Sequence, residues 1–286
     1  MAADQHVVVG GAGVAGSVGV IAALRRYPVK SMQGEQLRSA TVVPEGLLGD
    51  RAFAVVDRQS GEVIRGKTAD LGARLLACRA TFAATPQRAD ELPPVAIELP
   101  DGTRVCSDSG DADEVLTRYF ERPVGLVRSA PSGSAFVAGR DEFLSQTGAG
   151  ALVDGASLRD ASPVSVLTTS TLRALQTTRP ETLFDDRRFR MNVLVQSAAD
   201  GYPENAWPGH VLVLGEQVRL GVALPTPRCV LTTMAQDGLP RDPAVLRTVA
   251  RANSVDIAGR SYPCAGAYAT VVSPGEVTVD DPVSIA

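Results

Sequence analysis

The chain is short of aromatic residues, which make up 5% of its 286 positions and include a single tryptophan, Trp207. Its core must therefore come from aliphatic side chains. A hydrophobic content of 44% supplies enough for one large or two ordinary domains without disulfide support. Long apolar runs are missing too, so no membrane-spanning helix is expected. Histidine is nearly absent, with only His6 and His210. The four cysteines, Cys78, Cys106, Cys229 and Cys264, form no Cys-x-x-Cys pair and lie far in sequence from both histidines. That spacing excludes a structural zinc motif. A strong excess of one charge is lacking as well. The net charge of -4 argues against a nucleic-acid surface. No basic segment opens the chain as in a secretory signal, and scattered cysteines in a chain of this length point to a reducing cytoplasm.

What the chain does have is arginine, placed beside glycines and cysteines rather than in solvated runs, which suits recognition of a small anion. Near the start, Gly11-Ala12-Gly13-Val14-Ala15-Gly16 satisfies the glycine pattern of dinucleotide-binding folds. That reading needs a helix next. The β-like run Val18 to Leu24 follows instead, and Pro28 comes soon after. A flexible glycine-rich leader over 1–17 is the better reading.

From 18 to 128 the pattern is strand-rich. Short apolar runs such as 40–43, 52–56 and 95–99 are bounded by turn signals, with Pro100-Asp101-Gly102 reading as a hairpin turn. Asp111 to Phe120 is the one good helix of this half. The stretch 129–150, rich in Ser, Gly and Ala, reads as a linker. From 151 to 286 strands resume, with helices at about 171–177 and 241–252. Many short strands at this spacing indicate barrels or sandwiches. The fold class is thus mainly β with some α.

Pro225-Thr226-Pro227-Arg228-Cys229-Val230-Leu231-Thr232-Thr233 is the most informative stretch. Arginine beside cysteine favours thiolate over thiol, and two prolines stiffen the approach to it. A thiolate suits a soft metal or nucleophilic sulfur chemistry. The plainer alternative is a cysteine buried as a small hydrophobe.

This stretch resembles the signature of MOSC domains. Arg188-Phe189-Arg190-Met191-Asn192 resembles a second motif of the same family, with Met191 where a proline is usual. Glu204 shortly before Trp207 matches a third. Tyr27-Pro28-Val29-Lys30-Ser31-Met32-Gln33-Gly34 and Gly46-Leu47-Leu48-Gly49-Asp50-Arg51 resemble the two hallmarks of the β-barrel domain that usually precedes MOSC. Five motifs in order carry a resemblance that covers nearly everything from Val18 to the end of the chain.

The resemblance implies an N-terminal β-barrel-like domain over 18–128 and a MOSC β-barrel domain with peripheral helices over 151–286. It implies a molybdenum cofactor, a molybdopterin dithiolene carrying Mo, in the cleft between them. Cys229 would bind the metal and be the catalytic residue, with Arg228 neutralising negative charge beside it. Lys30, Ser31 and Arg51 would hold phosphate or pterin from the barrel side. Thr168 and Thr169, at a helix start, would add hydroxyl and N–H donors. Arg190 and Asn192, expected to alternate along one strand, would read the pterin's polar edges.

Each residue also has an ordinary reading. Lys30 and Arg51 could be solvated charges, Arg190 could pair with Asp185 or Asp186, and Thr168 could be only a helix cap. The departures remove none of the implied ligands: Met191 loosens the strand entry and reshapes the cleft wall, Asp280-Asp281-Pro282 lies far from the cofactor residues in sequence, and Ile64-Arg65-Gly66-Lys67 bears on substrate choice or partner docking.

The family includes the amidoxime-reducing components, so the activity implied is reduction of an N-hydroxylated or other N–O small molecule. No electron-carrier motif is present, so a separate redox protein would donate the electrons. No clear proton donor stands out, His210 being a weak candidate. The alternative keeps the fold and uses Cys229 without metal, in sulfur transfer or C–S bond chemistry. A third reading is a cofactor carrier without turnover. A pyridoxal-phosphate role lacks the dedicated domain it requires.

Overall fold

A computed structural model describes residues 16–68, 70–128 and 162–286. The linker expected over 129–150 and most of the expected leader, with its glycine pattern, lie outside the described residues. Nine strands come from the first half: β1 (Gly16–Arg26), β2 (Glu35–Leu37), β3 (Ser39–Val43), β4 (Gly46–Leu47), β5 (Phe53–Asp57), β6 (Arg79–Phe82), β7 (Val95–Glu98), β8 (Arg104–Cys106) and β9 (Val124–Arg128). Eight follow: β10 (Val164–Thr168), β11 (Val193–Gln196), β12 (Val211–Leu214), β13 (Val218–Pro227), β14 (Ser254–Ile257), β15 (Arg260–Ser273), β16 (Gly275–Thr278) and β17 (Pro282–Ile285). The described helices are α1 (Leu71–Ala77), α2 (Ala112–Phe120), α3 (Thr169–Thr178) and α4 (Ala244–Ala252).

Seven strands close a barrel in the order β10-β11-β1-β17-β12-β13-β15, with β15 pairing back onto β10. Closure leaves these strands no free edge. Alternation sets the inside. Along β12 every second residue, Leu212 and Leu214, is buried, and β13 buries Val218, Leu220 and Val222 at the same period. Ile21, Leu24, Val166, Val193, Val195 and Trp207 complete an aliphatic core around the one indole. Outside the barrel, α3 and α4 pack Leu175, Val245 and Val249 against Leu167, Phe189 and Met191.

β1 belongs to this barrel although it opens the first half. It pairs with β11 (Leu24 opposite Val193) and with β17 (Val20 opposite Pro282). A second crossing comes from β16, which pairs with β3 (Gly275 opposite Val42). The two halves are therefore interleaved through shared sheets. The rest of the first half surrounds its own core of Val29, Met32, Phe53, Val55, Leu75, Ile97, Leu116 and Phe120. The expected turn at 100–102 joins the hairpin β7–β8, where the Gly102 N–H donates to Leu99 O.

Two elements differ from expectation. Arg190 and Asn192 do not alternate along a strand. Arg190 has φ 53° and ends a short 3-10 helix, Asp186–Phe189, and β11 begins only at Val193. The left-handed residue stops the helix by freeing its N–H for Arg187 O, and so turns the chain before the strand. Helix α1 was not anticipated: seven residues long, it is too short to display a helical period of its own.

Barrel closure needs a close backbone approach at Gly266 in β15. Its φ is +84°, and a Cβ there would lie 2.5 Å from Val166 O and 2.6 Å from Met191 Cε. Gly266→Ala should therefore destabilise the chain by at least about 2 kcal/mol, combining left-handed strain with a backbone clash. Urea unfolding of both chains checks this, and a loss under about 0.5 kcal/mol, the ordinary surface level, would refute it.

Candidate active site

β1 delivers the first motif directly to the second half. The Arg25 N–H donates to Asn192 O at 2.8 Å, and Tyr27 follows two residues on. Tyr27-Pro28-Val29-Lys30 then runs beside Arg51-Ala52-Phe53. The Arg51 N–H donates to Tyr27 O, Phe53 N–H to Pro28 O and Lys30 N–H to Phe53 O, at 2.7, 2.9 and 2.8 Å. Asp50, almost fully buried, accepts from the Tyr27 N–H at 2.8 Å and pairs with the Arg51 guanidinium. The two hallmark motifs of the first half are thus one structural unit.

Tyr27 carries two guanidiniums over its ring. Arg51 stands 4.5 Å and Arg190 4.4 Å from its ring centroid. Each cation meets the negative face of the ring, a contact that strengthens when desolvated. Arg51 also donates to Arg190 O at 3.1 Å. Burial raises the pKa of the Tyr27 hydroxyl, although Arg190, Arg51 and Arg25 pull it down. The phenol therefore stays neutral in this cationic setting.

A cleft of about 300 Å³ opens at this junction, lined among others by Arg25, Tyr27, Arg79, Arg187, Arg190 and Asp237. Asp237 binds Arg79 of the first half and Arg187 of the second. Arg25 pairs with Asp186 and Arg187 with Asp185, at 2.8 and 2.7 Å. The lining thus mixes guanidiniums with carboxylates, and of the residues predicted to hold the cofactor it includes Arg190. Backbone strain gathers here as well. Among the described non-glycine residues, eight have positive φ, and Ser31, Arg51, Arg190 and Asp237 are four of them. Such clustering is typical of sites held in place by their surroundings.

Cys229 follows the end of β13 and is half-buried. Arg228 beside it donates to Ala265 O and Phe189 O, each at 2.9 Å, and stands 5.5 Å from the Phe189 ring. It thereby ties the cysteine's approach to the same 3-10 helix that ends in Arg190. On the far side, Leu231 packs close enough to Gly66 that a Cβ there would lie 2.7 Å from Leu231 Cδ2. The Gly66 N–H in turn donates to Ser31 Oγ at 2.9 Å. Ser31, Arg51, Arg190, Arg228 and Cys229 are thus joined through one contact network, and Lys30, half-buried, adjoins it.

The remaining predicted residues are engaged elsewhere in the fold. Thr168 is fully buried, and its N–H and hydroxyl both donate to Glu204 Oε1, at 2.7 and 2.9 Å. Its side chain also caps α3 by accepting from the Thr171 N–H. Thr169 Oγ exchanges hydrogen bonds with the Ser197 backbone. Asn192 Oδ1 accepts from the Ser165 N–H and hydroxyl, and its Nδ2 donates to Arg25 O. His210 is exposed, in the turn before β12. Tyr27, Asp50, Asp237 and Arg188 were missed as contributors. Tyr27, Asp50 and Arg188 each neighbour a predicted arginine in sequence or space, whereas Asp237 meets Arg79 and Arg187, which sequence reasoning gave no role.

Glu204 is buried, and burial raises its pKa despite donors from Thr171 and Thr168. Its folded state holds the proton more tightly than the unfolded chain does. That contribution to stability is full below about pH 4.3, the ordinary Glu value, and is lost as pH rises through the raised pKa. Glu204→Gln preserves volume and the bonds from Thr168, while the Thr171 hydroxyl can turn to accept. The variant should lack this alkaline-side loss. Urea midpoints of both chains across that range check it, and identical pH slopes would exclude Glu204 as the source.

The MOSC domain model matches residues 154–284, and the MOSC N-terminal beta barrel domain model matches residues 18–87. Human mitochondrial amidoxime-reducing component 1 is 27% identical over 289 residues, covering 93% of this chain and 82% of that protein. Among solved structures, the YUAD protein of Bacillus subtilis aligns with a TM-score of 0.43 at 12% identity, covering 95% of this chain and 94% of that one. YiiM of Geobacillus stearothermophilus aligns at 0.30 with 16% identity, over 44% of this chain and 54% of that one.

Proposed function

As a member of the MOSC family with both its N-terminal barrel domain and its MOSC domain, this chain is, we propose, a molybdenum-cofactor oxidoreductase acting on N–O compounds. The observation that supports the reading is the relay of contacts that links Arg51 to Arg190, Arg190's neighbour Phe189 to Arg228 beside Cys229, and Ser31 to Gly66 against Leu231, with Arg190 also lining the cleft between the halves. The donor chemistry fits the group. A half-buried thiol suits a soft metal. Guanidiniums and hydroxyls suit a phosphate and the polar edge of a pterin.

In this reading Cys229 holds the metal through its sulfur. Lys30, Ser31, Arg51 and Arg190 hold the pterin and phosphate. Arg228 orients the Cys229 loop and adds positive charge beside the thiolate. Thr168, Thr169 and Asn192 act from behind, since their own polar atoms are engaged within the fold. When bound, a molybdenum cofactor would supply the two-electron couple that such a reduction needs.

For an N-hydroxylated substrate the N–O bond breaks, two electrons and two protons are consumed, and an amine-level product and water leave. A separate redox protein supplies the electrons. The relative's name, amidoxime-reducing, supports this substrate class.

The test is metal analysis of protein made in cells that synthesise molybdenum cofactor, beside Cys229→Ala. The chain should carry about one Mo, and the variant at least about tenfold less, as expected for loss of a thiolate ligand. The loaded protein should reduce a benzamidoxime-type compound with an artificial reductant. Little Mo in either chain would overturn the reading and favour the metal-free use of Cys229 in sulfur or C–S chemistry. Full loading without turnover would favour a cofactor carrier.

A further inference from the structure

Arg188 is among the most deeply buried side chains, 1% exposed, yet it carries a charge. Among the described residues no carboxylate lies within ion-pair distance of it. Its guanidinium instead donates to four backbone carbonyls: Leu183 O at 3.2 Å, Thr232 O at 3.4 Å, Met234 O at 3.5 Å and Pro240 O at 2.9 Å. Three of these belong to the segment that follows Cys229. Thr232 passes the contact on, because its N–H and its hydroxyl both donate to Cys229 O, at 3.2 and 3.0 Å.

A buried charge without a counter-charge is costly, and an aliphatic side chain of equal volume would fill the space more cheaply. Burial does lower the pKa of this arginine, with Asp242 and Asp185 nearby opposing the shift. What the guanidinium offers in return is five N–H donors in one rigid plane. One side chain can therefore fix the path of a loop that forms no strand ladder, from Thr232 to Pro240. The neighbouring Phe189 O accepts from Arg228, which grips the same loop from before the cysteine. The short helix Asp186–Phe189 thus holds Cys229 from both sides in sequence.

We infer that Arg188 is a positioning residue for Cys229, setting the presentation of the thiol by fastening the loop behind it through backbone carbonyls. The functional weight of this role rests on the proposed use of Cys229, but its test does not.

The experiment is alkylation of the metal-free full chain by iodoacetamide, followed by mass spectrometry at each of the four cysteines. Cys78 and Cys264 are internal controls. Both are buried, and burial pushes their pKa values up to about 11. In Arg188→Met the Cys229 rate should rise at least about fivefold, as a released and more accessible thiol reacts faster, with Cys78 and Cys264 still protected. Arg188→Lys keeps the charge but cannot span four carbonyls, and should give a smaller rise of the same selectivity. It carries the test if the methionine variant does not fold. No rise at Cys229, or a rise shared with Cys78 and Cys264, overturns the proposal. Since no metal takes part, failure here is distinguishable from failure of the molybdenum reading, which the Mo content decides.

Discussion

The shared strand β1 is the constraint on which the rest of the structure depends. Its residues are hydrogen-bonded on both sides into the barrel of the second half, with Leu24 opposite Val193 and Val20 opposite Pro282. The chain then leaves the barrel wall at Tyr27, beside Met191 and Arg190, and builds the first half outward from there. A residue placed three or four positions after that exit, Lys30 or Ser31, inherits a defined position against the second half. A flexible tether between two independent units would give no such registration. The pairing of β16 with β3 fastens the same junction a second time.

Electrostatics at the junction follow from that geometry. Arginines from both halves meet in a small volume and would repel if left bare. The structure answers in two ways. Carboxylates at positions 50, 185, 186 and 237 take up part of the charge. The Tyr27 ring takes up another part, since Arg51 and Arg190 both stand over it at cation–π distance. Arg188 is treated differently, with peptide carbonyls in place of carboxylates, and its charge is spent on loop geometry.

Much of this was legible in the sequence. The strand-rich pattern, the hairpin at Pro100-Asp101-Gly102 and helix α2 follow from periodicity and turn chemistry. The five motifs carried the family and the barrel architecture. What was not legible was which polar residues face the cleft and which face the fold. Thr168 and Asn192 look alike from sequence, as polar residues near a helix or strand start. Only the path of the chain shows Glu204 arriving under Thr168 and Ser165 lying against Asn192. The 3-10 helix before β11 escaped for a related reason. Left-handed backbone at an arginine has no local sequence signal, because it is imposed by contacts such as the Arg51 bond to Arg190 O. Arg188 was read as part of a motif and given no role of its own, since a run of arginines does not say which one turns inward.

The interleaving also bears on how the chain can fold as it is made. The core around Val29, Phe53, Leu116 and Phe120 draws only on residues from the first half and can assemble early. The barrel cannot, because β1 must wait for β17, more than 250 residues later, to cover its second edge. Such non-local pairing makes closure a late and slow event. Until then only the Leu24–Arg26 end of β1 has a partner, in β2, and the rest of the strand is open to holding chaperones and to mispairing. The same register that joins the two halves therefore ties completion of the barrel to synthesis of β17.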